Sequence, residues 1–377
     1  MDLKKEIPDF PKNWDRWSDL VCFFMEFDDA IVVFAIDSVT ASVYHVVEYK
    51  RSRRLKRELG YTAWGSKIYI LGGDIVEDID SDEISYPLKV MICDLTKGTD
   101  FEEGPSLIGG KPCPLVFGVK GKIYAIAGNS SYSSHVDPPE PKFEFLDTEN
   151  SSQGWVDLPE PPFSPNHRGG YLLFVEHLVV TGSGAGQNDS LYVLISSNCY
   201  YKTMFWFDLV EQKWNSHLNI SDSVDLRVNN LTVYPWEEGA CVVDSFLYQY
   251  CSLDVNRDRV GVSVYNLLYP RPKTGEQSAS LLHGLEDVMS QVPPGNVSFG
   301  YLIHLGNQQF CLVVFFDPSP YFAEEPHAVI TCTFRLFDDS TGFQCEPTCK
   351  GAFILPDGMP EYCCKMCASG FSQSKYT

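Results

Sequence analysis

Residues 58–74 read ELGYTAWGSKIYILGGD, and residues 113–129 read CPLVFGVKGKIYAIAGN. In both, an apolar stretch meets a two-residue turn, a β-rich stretch follows, and small residues close the unit. The turns are Gly65-Ser66 and Lys120-Gly121. Glycine, asparagine and aspartate tolerate the positive φ of tight hairpins, so each unit reads as a β-hairpin. The same unit recurs at 20–36 (LVCFFMEFDDAIVVFAI), 169–185 (GGYLLFVEHLVVTGSGA), 240–252 (ACVVDSFLYQYCS) and 298–316 (SFGYLIHLGNQQFCLVVFF). From Gly65 onward the turns at Gly121, Glu176, Asp244 and Gly306 are spaced by 56, 55, 68 and 62 residues. The step from Asp29 to Gly65 is only 36, which makes the first unit short.

A third strand is expected after each hairpin, at 41–49, 87–95, 142–148, 204–210, 259–267 and 328–338. A fourth is legible at 100–107, 154–163, 213–220 and 349–356, and indistinct in the first and fifth units. One helix candidate, 278–292, reads as an insertion. A small twisted sheet cannot cover its own faces. Six such sheets stacked around an axis bury both faces of each, and closing the ring protects the edges. The sequence therefore predicts an all-β, six-bladed β-propeller over 20–357. Blades fall at about 20–57, 58–110, 111–165, 166–225, 226–292 and 293–357. An N-terminal segment (1–19) and a cysteine-containing C-terminal tail (358–377) flank them.

Composition supports this frame and excludes some functions. The chain has 377 residues, is 14% aromatic, and carries 28 Gly and 24 Pro, which suits a turn-rich β protein. Its formal charge of -21 argues against general nucleic-acid binding, because phosphates would be repelled. The longest apolar runs, at 30–36 and 310–316, suit buried strands and are too short for a membrane span. The charged N-terminus has no apolar signal region. A cytoplasmic location is expected, with nuclear entry open through the basic run 50–57, and the 13 cysteines are expected to be thiols.

KIYILGGD (67–74) followed by VMICDLTKGTDFEEGPSL (90–107), KIYAIAGN (122–129) followed by FEFLDTENSSQGWVDLPEPPF (143–163), and FWFDLVEQKWNSH (205–217) resemble the kelch repeat. Its pattern is a diglycine, a later aromatic and a later tryptophan. Gly72-Gly73 is the one diglycine in place, Trp155 and Trp214 hold the tryptophan position, and Phe101 is the nearest equivalent in the second unit. The resemblance covers roughly 58–220. It implies a kelch-type propeller whose glycines and tryptophans are structural, and whose partners meet the loops joining strand two to strand three or strand four to the next blade. The function it implies is a protein-interaction or substrate-recognition module.

The chain also resembles stand-alone plant kelch proteins and, distantly, the nitrile-specifier group. That likeness implies an alternative: an isomerase, cyclase or lyase of plant specialised metabolism with a pocket at the channel. The iron-binding pattern Glu-x-x-x-Asp-x-x-x-His of that group is missing.

Candidate sites follow from residue chemistry. His167, Arg168 and Glu238 lie where blades begin near the axis, and could join an anion anchor to a carboxylate base. Tyr321, Phe322 and His327, in the loop 317–327, offer an aromatic surface to a partner. The acidic stretch 74–85 reads as a solvated loop able to greet a basic partner. Cys345, Cys349, Cys364 and Cys367 have workable spacing for zinc, if two pairs are brought together. No other cofactor is expected. The partner is a protein, or a small-molecule ligand at the channel mouth.

Overall fold

The computed structural model describes residues 7–27, 30–50, 56–57, 59–78, 81–128, 139–162, 170–179, 189–197, 202–219, 226–228, 231–233, 239–243, 246–252, 260–266, 280–291, 297–317, 328–339, 342–355 and 365–370. They form six four-stranded antiparallel sheets. Inside to outside, the second sheet comprises Gly60–Trp64, Lys67–Leu71, Val90–Asp94 and Phe101–Glu103. The third comprises Leu115–Val119, Lys122–Ile126, Phe143–Asp147 and Trp155–Asp157. The fourth runs from Gly170–Val179 through Asp189–Ser197 and Lys202–Asp208 to Lys213–Asn219. The fifth is Ala240–Val243, Phe246–Ser252, Val260–Asn266 and Ser280–Leu281, and the sixth Val297–Gly306, Gln309–Asp317, Ala328–Asp339 and Gly342–Ile354.

The first sheet is assembled differently. Its strands in order are Lys365–Gly370, Leu20–Glu26, Ala30–Asp37 and Ser42–Lys50. The C-terminal strand pairs with the first long strand of the chain, Val21 opposite Gly370 and Glu26 opposite Lys365. Residues 365–370, expected in a tail outside the propeller, are therefore its closing strand. The segment 20–36 supplies the second and third strands of its sheet, not the first and second. This accounts for the short first step: the first hairpin joins strands two and three, whereas the hairpin at Gly65 joins strands one and two. Each innermost strand meets the innermost strands on both sides, and the circuit returns from Val297–Gly306 through Lys365–Gly370 to Gly60–Trp64. The arrangement is a β-propeller. Ring closure leaves no exposed inner edge for unwanted strand pairing.

The apolar clusters lie between sheets. Leu20, Phe24 and Ile31 of the first sheet pack with Tyr61, Ile68 and Cys93 of the second. Val21, Phe23 and Phe34 pack with Tyr301, Val313 and Phe315 of the sixth. Similar clusters join the second sheet to the third, the third to the fourth and the fifth to the sixth. Aromatic rings cross these seams: Phe24 on Tyr61 at 5.4 Å, Tyr49 on Phe101 at 5.1 Å and Phe143 on Phe207 at 5.1 Å. The expected tryptophan role is realised with a polar addition. Trp155 Nε1 donates to Pro105 O and Trp214 Nε1 to Pro159 O, both at 2.9 Å. Each indole thus fastens its outer strand to the linker that leaves the preceding sheet, burying apolar area while its N–H stays bonded. In the region 278–292 the helix is one turn, Glu286–Met289.

Candidate interaction face

The two ends of the ring differ. At one end, the connections among the described residues are turns, joining strands one to two in the second, third and sixth sheets and three to four in the first to fourth. Gly65 (φ 62°), Lys120 (47°), Gly121 (75°), Asn307 (50°) and Gln308 (61°) adopt the positive φ that such turns need. Among the described residues, the aspartate that ends the third strand caps the turn that follows in the first four sheets. Asp37 accepts from Val39 N at 2.9 Å, Asp94 from Thr96 N at 3.1 Å, Asp147 from Glu149 N at 2.9 Å and Asp208 from Val210 N at 2.9 Å. Asp94 also accepts from the Thr96 hydroxyl at 2.7 Å and from Ser66 Oγ at 3.2 Å, which ties both turns of its sheet together. Burial pushes its carboxyl up, but these donors outweigh burial and hold it below the usual aspartate value.

The other end carries the longer connections. The linker 104–114, between the second and third sheets, is anchored by a buried ion pair. Lys111 and Glu144 are both fully buried and in direct contact. The ammonium also donates to Gly109 O at 2.8 Å and Pro141 O at 2.6 Å. The carboxylate accepts from Ile108 N at 2.9 Å and Gly109 N at 3.3 Å. Desolvation lowers the Lys111 pKa, against the pull of Glu144. The diglycine packs on the same linker. Gly73 N donates to Lys111 O at 2.8 Å, and a Cβ on Gly72 (φ 67°) would lie 2.5 Å from that oxygen. On the far side, a Cβ on Gly128 would lie 2.2 Å from Cys113 O. The glycines let the linker pass between two strand ends.

Beside this anchor, the same end of the third sheet holds an open cleft of about 640 Å³ lined by Glu140, Pro141, Asp157, Leu158, Pro159 and Glu160. Leu158 is buried, while the three carboxylates and Pro159 are exposed. Lys142 Nζ lies 3.5 Å from Glu160. The cleft adjoins two exposed aliphatic residues, Leu88 (43% exposed) and Ile108 (49%). Leu107 N donates to Leu88 O at 2.8 Å, which holds their backbones together. A Cβ on Gly109, next to Ile108, would lie 2.6 Å from Glu140 O, so the linker that carries Ile108 borders the cleft, and Leu88 is tied to the same linker through Leu107. Sequence reasoning missed this site. Its trace was the proline- and acid-rich composition of 137–142 and 157–162.

The acidic stretch 74–85 is a hairpin, not a loop. Asp74–Asp78 and Ser81–Ser85 form a small sheet with Lys56–Arg57, at the end of the basic run. Lys56 stands opposite Ile75 and Arg57 opposite Asp74. This sheet joins a two-to-three connection to a four-to-one linker, at the same end of the ring as the cleft.

The expected channel residues His167, Arg168 and Glu238, and the expected partner residues Tyr321, Phe322 and His327, lie outside the described residues. So does Cys364. Cys345 and Cys349 occupy the outermost strand of the sixth sheet, whereas Cys367 is on the innermost strand of the first. The topology thus places these three on strands at opposite radii of neighbouring sheets. The Cys345 thiol is pushed up to about 12, mainly by burial. Among the described residues no group of three or more His, Cys, Asp or Glu gathers for a metal. Nor does any helix among them have the length and apolarity to cross a membrane.

Residues 62–221 match the family described as "Protein of unknown function (DUF1668)". No curated protein matches the sequence. Among solved structures, the one titled "Structure of YjhT" is similar over 86% of this chain and 96% of its own, at 10% identity and a TM-score of 0.47.

Proposed function

We propose that this propeller is a kelch-type protein-interaction module that binds its partner through the end of the ring carrying the two-to-three and four-to-one connections. The observation that carries this reading is the asymmetry of the ring. The described turns of one end are hydrogen-bonded and expose Val39 and Val210 on separate sheets, whereas the other end carries a cleft, the exposed Leu88 and Ile108 on the segments that flank it, and an accessory acidic hairpin. An exposed apolar pair with a polar surround is the composition of an interface centre and rim. The kelch assignment is supported by Gly72-Gly73 packed on the linker and by the equivalent bonds of Trp155 and Trp214. Cytoplasmic or nuclear residence belongs to the same proposal.

The test compares partners captured by three proteins: wild type, Leu88→Asp/Ile108→Asp, and Val39→Asp/Val210→Asp. Val39 and Val210 are exposed in turns at the opposite end. Partners kept by the Val39/Val210 variant and lost by the Leu88/Ile108 variant support the reading. Equal capture by all three, or loss only at Val39/Val210, refutes it.

A further inference from the structure

We infer that the cleft on the third sheet, with Leu88 and Ile108 at its border, receives a basic extended segment of a partner protein that carries an aliphatic anchor. This rests on the interaction-module reading and specifies the partner's chemistry.

Glu140, Asp157 and Glu160 project around the cleft, and Lys142 offsets one of them. The cleft is therefore net acidic, within a chain of formal charge -21. A cationic segment gains from this field in encounter rate and in final pairing. Cleft shape narrows the choice further. The lining combines Pro141, Leu158 and Pro159 with three carboxylates, so the cleft offers both apolar and anionic contacts. Alternating aliphatic and basic side chains of an extended segment match that arrangement, because successive residues of such a segment point opposite ways. Leu88 and Ile108 extend the apolar contact beyond the cleft, toward the second sheet.

The surface is also built to stay in place. Pro141 lines the cleft and accepts from the buried Lys111 ammonium, and Glu144 holds the backbone of Ile108 and Gly109. A rigid receptor surface loses little ordering entropy on binding. The nearby hairpin 74–85 is acidic as well, and offers a rival explanation for any attraction of basic peptides.

The experiment is selection of a phage-displayed library of random dodecapeptides on the full-length protein. Affinities of the enriched peptides are then measured by fluorescence anisotropy. Enriched sequences are expected to carry Lys or Arg around Leu, Ile or Val. They should bind Leu88→Asp/Ile108→Asp at least tenfold more weakly, and Glu140→Lys/Asp157→Lys at least tenfold more weakly with a reduced salt dependence. A hairpin variant, Asp78→Asn/Asp82→Asn, should bind within threefold of wild type. Selection that enriches no basic-aliphatic sequence overturns the inference, as does equal binding by the cleft variants or loss confined to the hairpin variant. Circular dichroism of each variant separates lost binding from lost fold. The module reading survives such an outcome if the partner capture described above still depends on Leu88 and Ile108.

Discussion

Replacing either member of the buried Lys111–Glu144 pair should be among the most damaging single changes on the third sheet. Both side chains are fully buried. Glu144→Gln leaves the ammonium with Gly109 O and Pro141 O, no carboxylate in contact and only the weaker pull of Glu160. Lys111→Met leaves a carboxylate held only by Ile108 N and Gly109 N. Stranding one charge in a dry site costs about 3–5 kcal/mol. The double variant, Lys111→Met with Glu144→Gln, removes both charges, and the introduced amide oxygen keeps an acceptor for the two N–H groups. It should be more stable than the sum of the single losses predicts, by at least about 2 kcal/mol, since residues in contact couple on this scale.

The pair also has an alkaline signature. Desolvation lowers the folded Lys111 pKa below 10.5. The unfolded chain therefore binds more protons between the lowered value and 10.5, and wild type should gain stability relative to Lys111→Met as pH rises through that window. Urea unfolding followed by tryptophan fluorescence measures all of this. Single-variant losses below about 1 kcal/mol, or losses that add within about 0.5 kcal/mol, would refute the reasoning.

Gly72→Ala should cost at least about 2 kcal/mol, because it combines left-handed strain with a clash against Lys111 O; an unchanged thermal midpoint would contradict the packing of the diglycine on the linker. Asp94 carries a lowered pKa, so its contribution is complete above the unfolded value near 3.8 and fades as pH falls through the lower folded one. Asp94→Asn should trail wild type by about 1 kcal/mol at pH 6, and the gap should narrow as pH falls below 3.8, as read by urea titration at each pH; a gap that does not narrow on acidification would rule out the charged acceptor. Cys93, Cys311, Cys332 and Cys345 are buried, with thiols pushed up to about 12. Iodoacetamide at pH 8, followed by peptide mass spectrometry, should label them only after unfolding, and labelling of the native protein at a free-thiol rate would count against their burial.

Five of the six hairpins were legible because each pairs an apolar run with a short turn, as at Gly65-Ser66 and Lys120-Gly121; the fourth was misplaced, because Glu176 and His177 lie within one strand, Gly170–Val179, that pairs with Asp189–Ser197. The tryptophans were legible as blade packing, although their bonds to Pro105 and Pro159 were not, since a carbonyl partner 50 or 55 residues away leaves no mark in composition. Ring closure was hidden for a similar reason. Residues 365–370 (KMCASG) have weak strand character, and their place is decided by Leu20–Glu26 at the other end of the chain. The aspartates at 37, 94, 147 and 208 recur at one structural position, but the displaced register of the first unit concealed the recurrence. The cleft escaped notice because its walls, 140–141 and 157–160, are apart in sequence and meet only when the third sheet folds. Nothing in the sequence marks Lys111 and Glu144 as a buried pair, because it does not show that a linker crosses over a strand end.

The C-terminal strand, paired with Leu20–Glu26, is what closes the ring of six sheets. Amide hydrogen exchange resolved by mass spectrometry tests this directly. Peptides spanning 365–370 should show protection comparable to those spanning Leu20–Glu26, because the two strands share one ladder. Exchange of 365–370 within seconds, while 20–26 stays protected, would show a free tail and contradict the closed propeller.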